Sequence, residues 1–280
     1  MNILISTTTN WNPGDSWILL GVKNILKHIF LETPNYIHYD RNPNNMIDWP
    51  NNQNMKVGLH GNFMNNPIDW GLIDMVVLAG SPEFLHHPLA PIYDGLAEHP
   101  EIPLWAIGVG YTEPEFVLPL TENEITVLKR ESTLIIVRQK ELAARLGDLL
   151  DRAVYILPCP ALFCFEKFPE KTKDAMNIFA AHSIDEIGCD SFFSSDPYDM
   201  LNFIGSHKVV VSGRLHGTIA GISSGAISTS INQSFRAKEA IKLFEEAVEA
   251  DTATITAFKV RTLNDYITII KNYADTLTTK

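Results

Sequence analysis

Short apolar runs alternate with longer amphipathic stretches along most of the chain. Asn2–Ser6, Met75–Ala79, Leu104–Val109, Leu134–Val137, Val154–Leu157, Met176–Ala180, Lys208–Val211 and Ala226–Ile231 have the length and β-branched content of buried strands. Helical spacing of apolar residues runs through Trp17–Phe30, Asn123–Arg130, Lys140–Leu149, Tyr198–Ile204, Thr218–Ser223, Ala237–Ala250 and Leu263–Thr276. Strands that alternate with helices predict an α/β fold in which right-handed crossovers build parallel sheets. A break near Asp148–Arg152, between the helix KELAARLGDLL and the strand AVYIL, divides the chain into residues 1–150 and 151–280. The expected result is two doubly wound sheets side by side, with the last helix packing back on the first. Asn42–Asn54, rich in Asn and Pro, reads as a long surface loop.

Composition narrows the function classes. A chain of 280 residues with 45% hydrophobic content can build sizeable cores, and a formal charge of −11 argues against a general nucleic-acid binder or a polybasic membrane surface. Any site for an anion must therefore be locally cationic. Cys159, Cys164 and Cys189 form no CxxC pair, so neither a disulfide framework nor a zinc site is supported, and a reducing cytoplasm fits best. MNILIS reads as a first core strand rather than a secretory signal, and no apolar run reaches the length of a membrane span. The expected location is cytoplasmic, with the inner face of the membrane as a peripheral alternative.

Chemistry is expected where strands end. KVVVSGRLHGTIAGI (residues 208–222) carries Arg214 and His216 in a strand-to-helix turn, the place where open α/β sheets bind ligands and helix amides face anions. Arg214 offers a planar fork for carboxylate or phosphate, and His216 exchanges a proton near neutral pH. The bland alternative is an arginine satisfying carbonyls and a histidine filling a polar core position. Arg138 ends the strand LIIV before another helix, either as an interface salt bridge or as a second anion clamp. After the first strand, Asn12, Pro13, Gly14, Asp15 and Ser16 form a turn that either caps a helix or presents amides to a substrate. Gly80 and Ser81, and then Gly108 and Gly110, are small residues at strand ends that let a ligand approach the backbone. His86 and His87 are neighbours that rarely point together, so one of them assisting an anion is weighed against a surface histidine and no metal is expected. Lys238 opens a late amphipathic helix, where a merely solvated lysine is common.

GxGxxG, Walker and HExxH motifs are absent. NPGDSWIL, LAGSPEFL, AIGVG, IIVRQKELAARLG and above all SGRLHGTIAGISSGAISTSI followed by FRAKEAIKLF together resemble the polysaccharide pyruvyltransferase family, over most of the chain. That resemblance implies a GT-B-like pair of Rossmann-like domains with parallel sheets around a cleft, from which this chain departs by an abbreviated second domain. It implies phosphoenolpyruvate as donor substrate, no further cofactor, and transfer of the enolpyruvyl-derived group to hydroxyls of a glycan or lipid-linked sugar as a pyruvate ketal. His216 would then act as general acid, with Arg214 and Arg138 holding the donor's carboxylate and phosphate. Asn12, Gly14, Asp15, Ser16, Gly80, Ser81, His86, His87, Gly108, Gly110 and Lys238 would bind substrate. The second departure is that Cys159-Pro160 occupies the place where the family tends to have Asp-Pro. A nucleotide-sugar glycosyltransferase of the same architecture and a non-catalytic sugar-binding relative are the alternatives, and homo-oligomerisation is left open.

Overall fold

Strand β1 (Asn2–Thr7) opens a six-stranded parallel sheet with β2 (Asn35–Asp40), β5 (Met75–Ala79), β6 (Leu104–Val109), β7 (Thr133–Val137) and β8 (Tyr155–Ile156). The order across the sheet is β2-β1-β5-β6-β7-β8. The computed structural model describes residues 1–7, 13–40, 47–48, 53–54, 68–80, 89–110, 120–178, 190–191, 196–231 and 235–278. Strands β9 (Lys173–Ile178), β10 (Asp190–Ser191), β11 (His207–Ser212) and β12 (Ile227–Ser230) form a second parallel sheet in the order β10-β9-β11-β12. In each sheet the chain reverses its direction of travel once, between β1 and β5 and between β9 and β11. Such switch points open a crevice at the carboxyl ends of the strands.

The inner strands of the first sheet, β1, β5, β6 and β7, are buried on both faces, as parallel strands covered on both sides must be. Ile3, Ile5, Val77, Trp105, Ile107 and Ile136 point to one face, and Leu4, Val76, Leu78, Ala106, Ile135 and Val137 to the other. Helices α2 (Ala90–Glu98), α3 (Glu122–Leu128) and α4 (Lys140–Leu150) cover the second of these faces. Helix α1 (Pro13–Leu26) covers the first and also packs on the 3₁₀ turn Pro160–Phe163, α5 (Pro197–Gly205) and α6 (Leu215–Ser223). Trp17, Ile18, Val22, Ile25 and Leu26 of α1 are all buried. At roughly 1.5–3 kcal/mol for each large side chain, this burial far outweighs the cost of about 1 kcal/mol for each of Gly14 and Gly21 within the helix. One hydrophobic cluster therefore runs from the first sheet through α1 into the second. Helix α7 (Phe235–Ile241) leads to α8 (Thr252–Thr278), where Tyr266 donates to the Pro158 carbonyl at 2.7 Å and Tyr273 to the Glu131 carbonyl.

Several boundaries differ from the sequence reading, each for a local reason. Helix α1 begins at Pro13, not Trp17, because proline fits the first helical position, so Gly14, Asp15 and Ser16 belong to a helical turn rather than a loop. Helix α6 likewise begins at Leu215, which puts His216 inside its first turn. Strand β2 and helix α2 went unread because NYIHYD mixes polar residues into an edge strand and APIYDGLAE opens with alanine and proline. Ile47–Asp48 (β3) and Gln53–Asn54 (β4) pair as a short antiparallel ladder within the stretch read as loop. The stretch 237–250 read as one helix is α7, a 3₁₀ turn Lys242–Phe244 and non-helical turns.

Candidate active site

The central contact is built from the ends of two strands in different sheets. Arg138 follows β7, and its N–H still donates to the Val109 carbonyl at 3.0 Å, so its side chain leaves from the carboxyl edge of the first sheet. In the second sheet Ser212 ends β11. Its Oγ accepts from the Arg214 N–H at 3.0 Å and donates to the Arg214 carbonyl at 2.8 Å, which clamps the turn. Arg214 is thereby held extended (φ −116°, ψ 133°) as the residue before α6, and its carbonyl receives the first helical bond, from Thr218 N–H at 3.2 Å. His216 then projects toward the first sheet, where Arg138 Nη1 lies 2.7 Å from its Nε2. Both residues are buried, at 1% and 5% exposure.

A guanidinium has no acceptor, so His216 Nε2 takes the hydrogen bond through its lone pair and the ring carries its proton on Nδ1. Nδ1 faces Gly14: a Cβ added there would lie 2.3 Å from it. The first turns of α1 and α6 consequently meet at the imidazole, each bringing the positive end of a helix dipole. Arg138 Nη1 also donates to Cys159 Sγ at 3.4 Å, while Nη2 finds no hydrogen-bond partner among the described residues. Ser6 Oγ and Thr7 Oγ1, at the end of β1, are buried and likewise unpartnered among those residues. A buried donor without an acceptor costs about 1–3 kcal/mol, more when charged.

Arg214, the residue before α6, is half-buried, and burial lowers its pKa. Tyr266 lies close to the centre, where burial, reinforced by Cys159 and opposed by Arg138, holds its phenol well above the usual range. It stays protonated and serves as the donor that secures Pro158. Among the described residues, no group of three or more His, Cys, Asp or Glu side chains is placed to hold a metal.

The structure brings Arg138, His216 and Gly14 together and adds Cys159 to them. Gly110 backs the same arginine, with a Cβ there falling 2.5 Å from Arg138 Nε. Asp15 is buried and Ser16 half-buried in the first turn of α1. Gly80 (φ +70°) and Gly108 (φ +73°) have the left-handed backbone that glycine permits, and the faces where a Cβ would stand are filled by Ile18 and Pro160 respectively. Lys238 is exposed on α7. Asn12, Ser81, His86 and His87 lie outside the described residues. Cys159 and Tyr266 were not among the expected site residues. Cys159 was visible only as a departure from a motif, and Tyr266 reaches the site from a helix far along the chain with no local signal.

No curated protein sequence matches the chain. Among solved structures, a functionally uncharacterised protein from Klebsiella pneumoniae subsp. pneumoniae NTUH-K2044 is similar at 12% identity, with a TM-score of 0.49 and coverage of 86% of this chain and 87% of that one. Residues 12–233 match the polysaccharide pyruvyl transferase family. That span begins beside the Gly14 turn and includes Arg138, Cys159, Arg214 and His216, so the chain belongs to the polysaccharide pyruvyl transferase family and is a transferase.

Proposed function

We propose that the chain transfers the enolpyruvyl-derived group of phosphoenolpyruvate to two hydroxyls of a glycan or lipid-linked sugar, forming a pyruvate ketal and releasing phosphate. The observation that carries this reading is the buried Arg138–His216 contact at 2.7 Å, with Arg138 Nη2 unpartnered among the described residues. The donor is a dense anion, and a buried arginine in contact with the first turn of α6, which Arg214 precedes, is suited to it. Arg138 and Arg214 hold its carboxylate and phosphate. An anionic oxygen that takes over Arg138 Nη1 releases the lone pair on His216 Nε2. The imidazole is then free to acquire a proton and deliver it to the donor's methylene carbon. Protonation leaves an electron-poor C2, which the first acceptor hydroxyl attacks as its proton returns to His216; the proton of the second hydroxyl leaves with the phosphate. Breaking the C2–O bond expels phosphate, and the second hydroxyl closes the ketal. Every bond change is a proton transfer or a displacement at C2, so the reading needs no metal and no redox cofactor.

The two sheets, each with its switch point, support a GT-B-like arrangement in which the donor lies between them. The acceptor is a polysaccharide in keeping with the family, approached from the carboxyl edges of the strands. The test is direct: purified protein is incubated with phosphoenolpyruvate and a panel of galactosides, mannosides and N-acetylhexosamines while phosphate release and acceptor mass are followed. Donor-dependent phosphate release with a matching mass gain is expected. Binding of a uridine or guanosine diphosphate sugar with no response to phosphoenolpyruvate would replace the reading with a glycosyltransferase.

A further inference from the structure

At the far end of α1 from the Arg138–His216 pair lies a cavity of about 480 Å³ between the end of that helix, the segment Phe163–Phe168 and helix α8. From Gly14 to Lys27 the helix rise of 1.5 Å per residue puts roughly 20 Å between it and the site already described. Its walls have two chemistries. Phe163, Phe165, Phe168, Val260 and Leu263 supply apolar surface, and Val260 and Phe168 are 55% and 36% exposed, a water-facing apolar area that nothing in the chain covers among the described residues. Lys27, Lys167 and Lys259 supply cations against one carboxylate, Glu166, which pairs with Lys27, and His28 adds a polar ring. In a chain of formal charge −11 such a gathering of positive groups is a local reversal of sign.

The walls are held in place before any ligand arrives. Phe168 lies on Gly225, where a Cβ would stand 3.0 Å from the ring. Asn24 Nδ2 donates to the Phe163 carbonyl at 2.8 Å, tying the end of α1 to the aromatic segment. Lys259 Nζ donates to the carbonyls of Phe165 at 2.9 Å and Ser223 at 2.7 Å and sits 5.0 Å over the Phe168 ring, so a cation is fixed at the apolar wall by neutral acceptors. Carbonyls and a ring leave its net charge in place, and burial lowers its pKa to about 8, the mark of a cation without a compensating anion.

We infer that this cavity is a second binding site, separate from the pyruvyl-transfer centre, for an amphiphilic anion: a carboxylate or phosphate head carried on a hydrocarbon body. The hydrocarbon lies against Phe163, Phe165, Phe168, Val260 and Leu263, and the head is met by Lys259 and the lysines of the rim. The volume falls within the range of small-molecule pockets, and the combination of an apolar wall with a few placed charges is their usual chemistry.

The experiment is isothermal titration of the full chain with decanoate, decyl phosphate, decanol and inorganic phosphate as separate probes. Saturable one-site binding of decanoate or decyl phosphate is expected, with decanol and inorganic phosphate weaker by about tenfold or more. Which of the two amphiphiles binds more tightly assigns the head group. Val260→Asp, at a position 55% exposed on α8, weakens the amphiphile by about tenfold or more with the circular dichroism spectrum retained, whereas saturating phosphoenolpyruvate leaves its affinity unchanged. No amphiphile binding, decanol binding as well as decanoate, inorganic phosphate binding as well as decyl phosphate, or an unchanged affinity in Val260→Asp would each overturn the inference. Because the readout is binding at a remote pocket, its failure is distinct from a failure of pyruvyl transfer.

Discussion

Arg138 Nη1 and His216 Nε2 stand 2.7 Å apart across 78 residues of sequence, joining the carboxyl end of β7 in one sheet to the first turn of α6 beside the other. The contact makes the two side chains one unit. His216→Asn retains an acceptor for Arg138 but removes the proton carrier, so turnover is expected to fall by about 10²–10⁴-fold while circular dichroism and donor binding persist. Arg138→Lys keeps the charge and loses the fork, and kcat/KM is expected to fall by about 10²–10³-fold. The double variant is expected to be little worse than the poorer single variant. Steady-state kinetics with phosphate release checks all three, and additive losses would mean that the two residues act independently.

Gly14 carries a second prediction about the same imidazole. Its neighbour on the Cβ side is His216 Nδ1, at 2.3 Å from the added atom, with the ring carbon Cγ at 2.6 Å. Gly14→Ala must displace the ring or the end of α1. Activity is expected to drop by at least about tenfold, with a stability cost of about 1–3 kcal/mol typical of overpacking. A variant with full turnover would show that the ring position does not matter to the reaction.

Much of this arrangement could be read from the chain, and the reasons for the rest are physical. Met75–Ala79 and Leu104–Val109 were read at their observed bounds because buried parallel strands are continuous apolar runs flanked by glycine. Arg138, Arg214 and His216 were legible because a charged or titratable residue directly after such a run has few places to go except the sheet's edge. The packing of Gly14 against His216 was not legible, since it depends on how α1 meets a helix some two hundred residues later. Strand β2 was missed because an edge strand needs only one strongly apolar face, and Ile37 and Tyr39 alone are weak signals. The cavity by Phe168 joins Asn24, Phe165 and Val260, which no local pattern connects.

The two described cysteines are expected to be inert in the native protein. Cys159 is fully buried beside Arg138, and burial pushes the Cys164 thiol up to about 12, so at neutral pH it is a buried thiol rather than a thiolate. Iodoacetamide treatment should leave the tryptic peptide AVYILPCPALFCFEK unmodified until urea is added, as read by peptide mass spectrometry. Rapid native labelling at Cys159 would reveal that the centre opens to reagents of that size.

Lys171 and Lys259 give a pH dependence with a definite sign. Lys171 Nζ donates to Ser224 Oγ at 2.7 Å and Lys259 Nζ to the Ser223 carbonyl, both at the carboxyl end of α6. Burial lowers each to about 8 from 10.5, and the charge of Lys259 adds to the lowering at Lys171. Between those values the unfolded chain binds more protons than the folded one, so this pair's contribution to stability rises with pH from about 8 upward. Cys164 acts in the opposite sense above its ordinary value of 9.0, where the folded state keeps a proton that the unfolded chain loses. Urea denaturation between about pH 8 and about pH 9 is therefore expected to show a smaller rise, or a larger fall, in Lys171→Met than in the parent chain. The same pH response in both proteins would remove Lys171 from the account.

Two helical glycines separate propensity from packing. Replacing glycine by alanine inside a helix stabilises by about 1 kcal/mol where the new methyl meets no obstacle. At Gly147 in α4 the methyl would find only the Arg152 carbonyl oxygen, at an ordinary 3.6 Å. At Gly21 in α1 it would fall 1.8 Å from the Pro160 carbonyl oxygen and 2.5 Å from the carbonyl carbon, and backbone cannot rotate away as a side chain can. Overpacking of this kind costs about 1–3 kcal/mol or more, which exceeds the propensity gain. Gly147→Ala is therefore expected to raise the free energy of unfolding by about 0.5–1 kcal/mol and Gly21→Ala to lower it, both measured by urea titration. Because Pro160 follows Cys159 and α1 carries Gly14 to His216, Gly21→Ala should also reduce turnover, whereas Gly147→Ala should not. Shifts of the same sign in both variants would show that the approach of α1 to the Pro160 turn is loose enough to admit a methyl group.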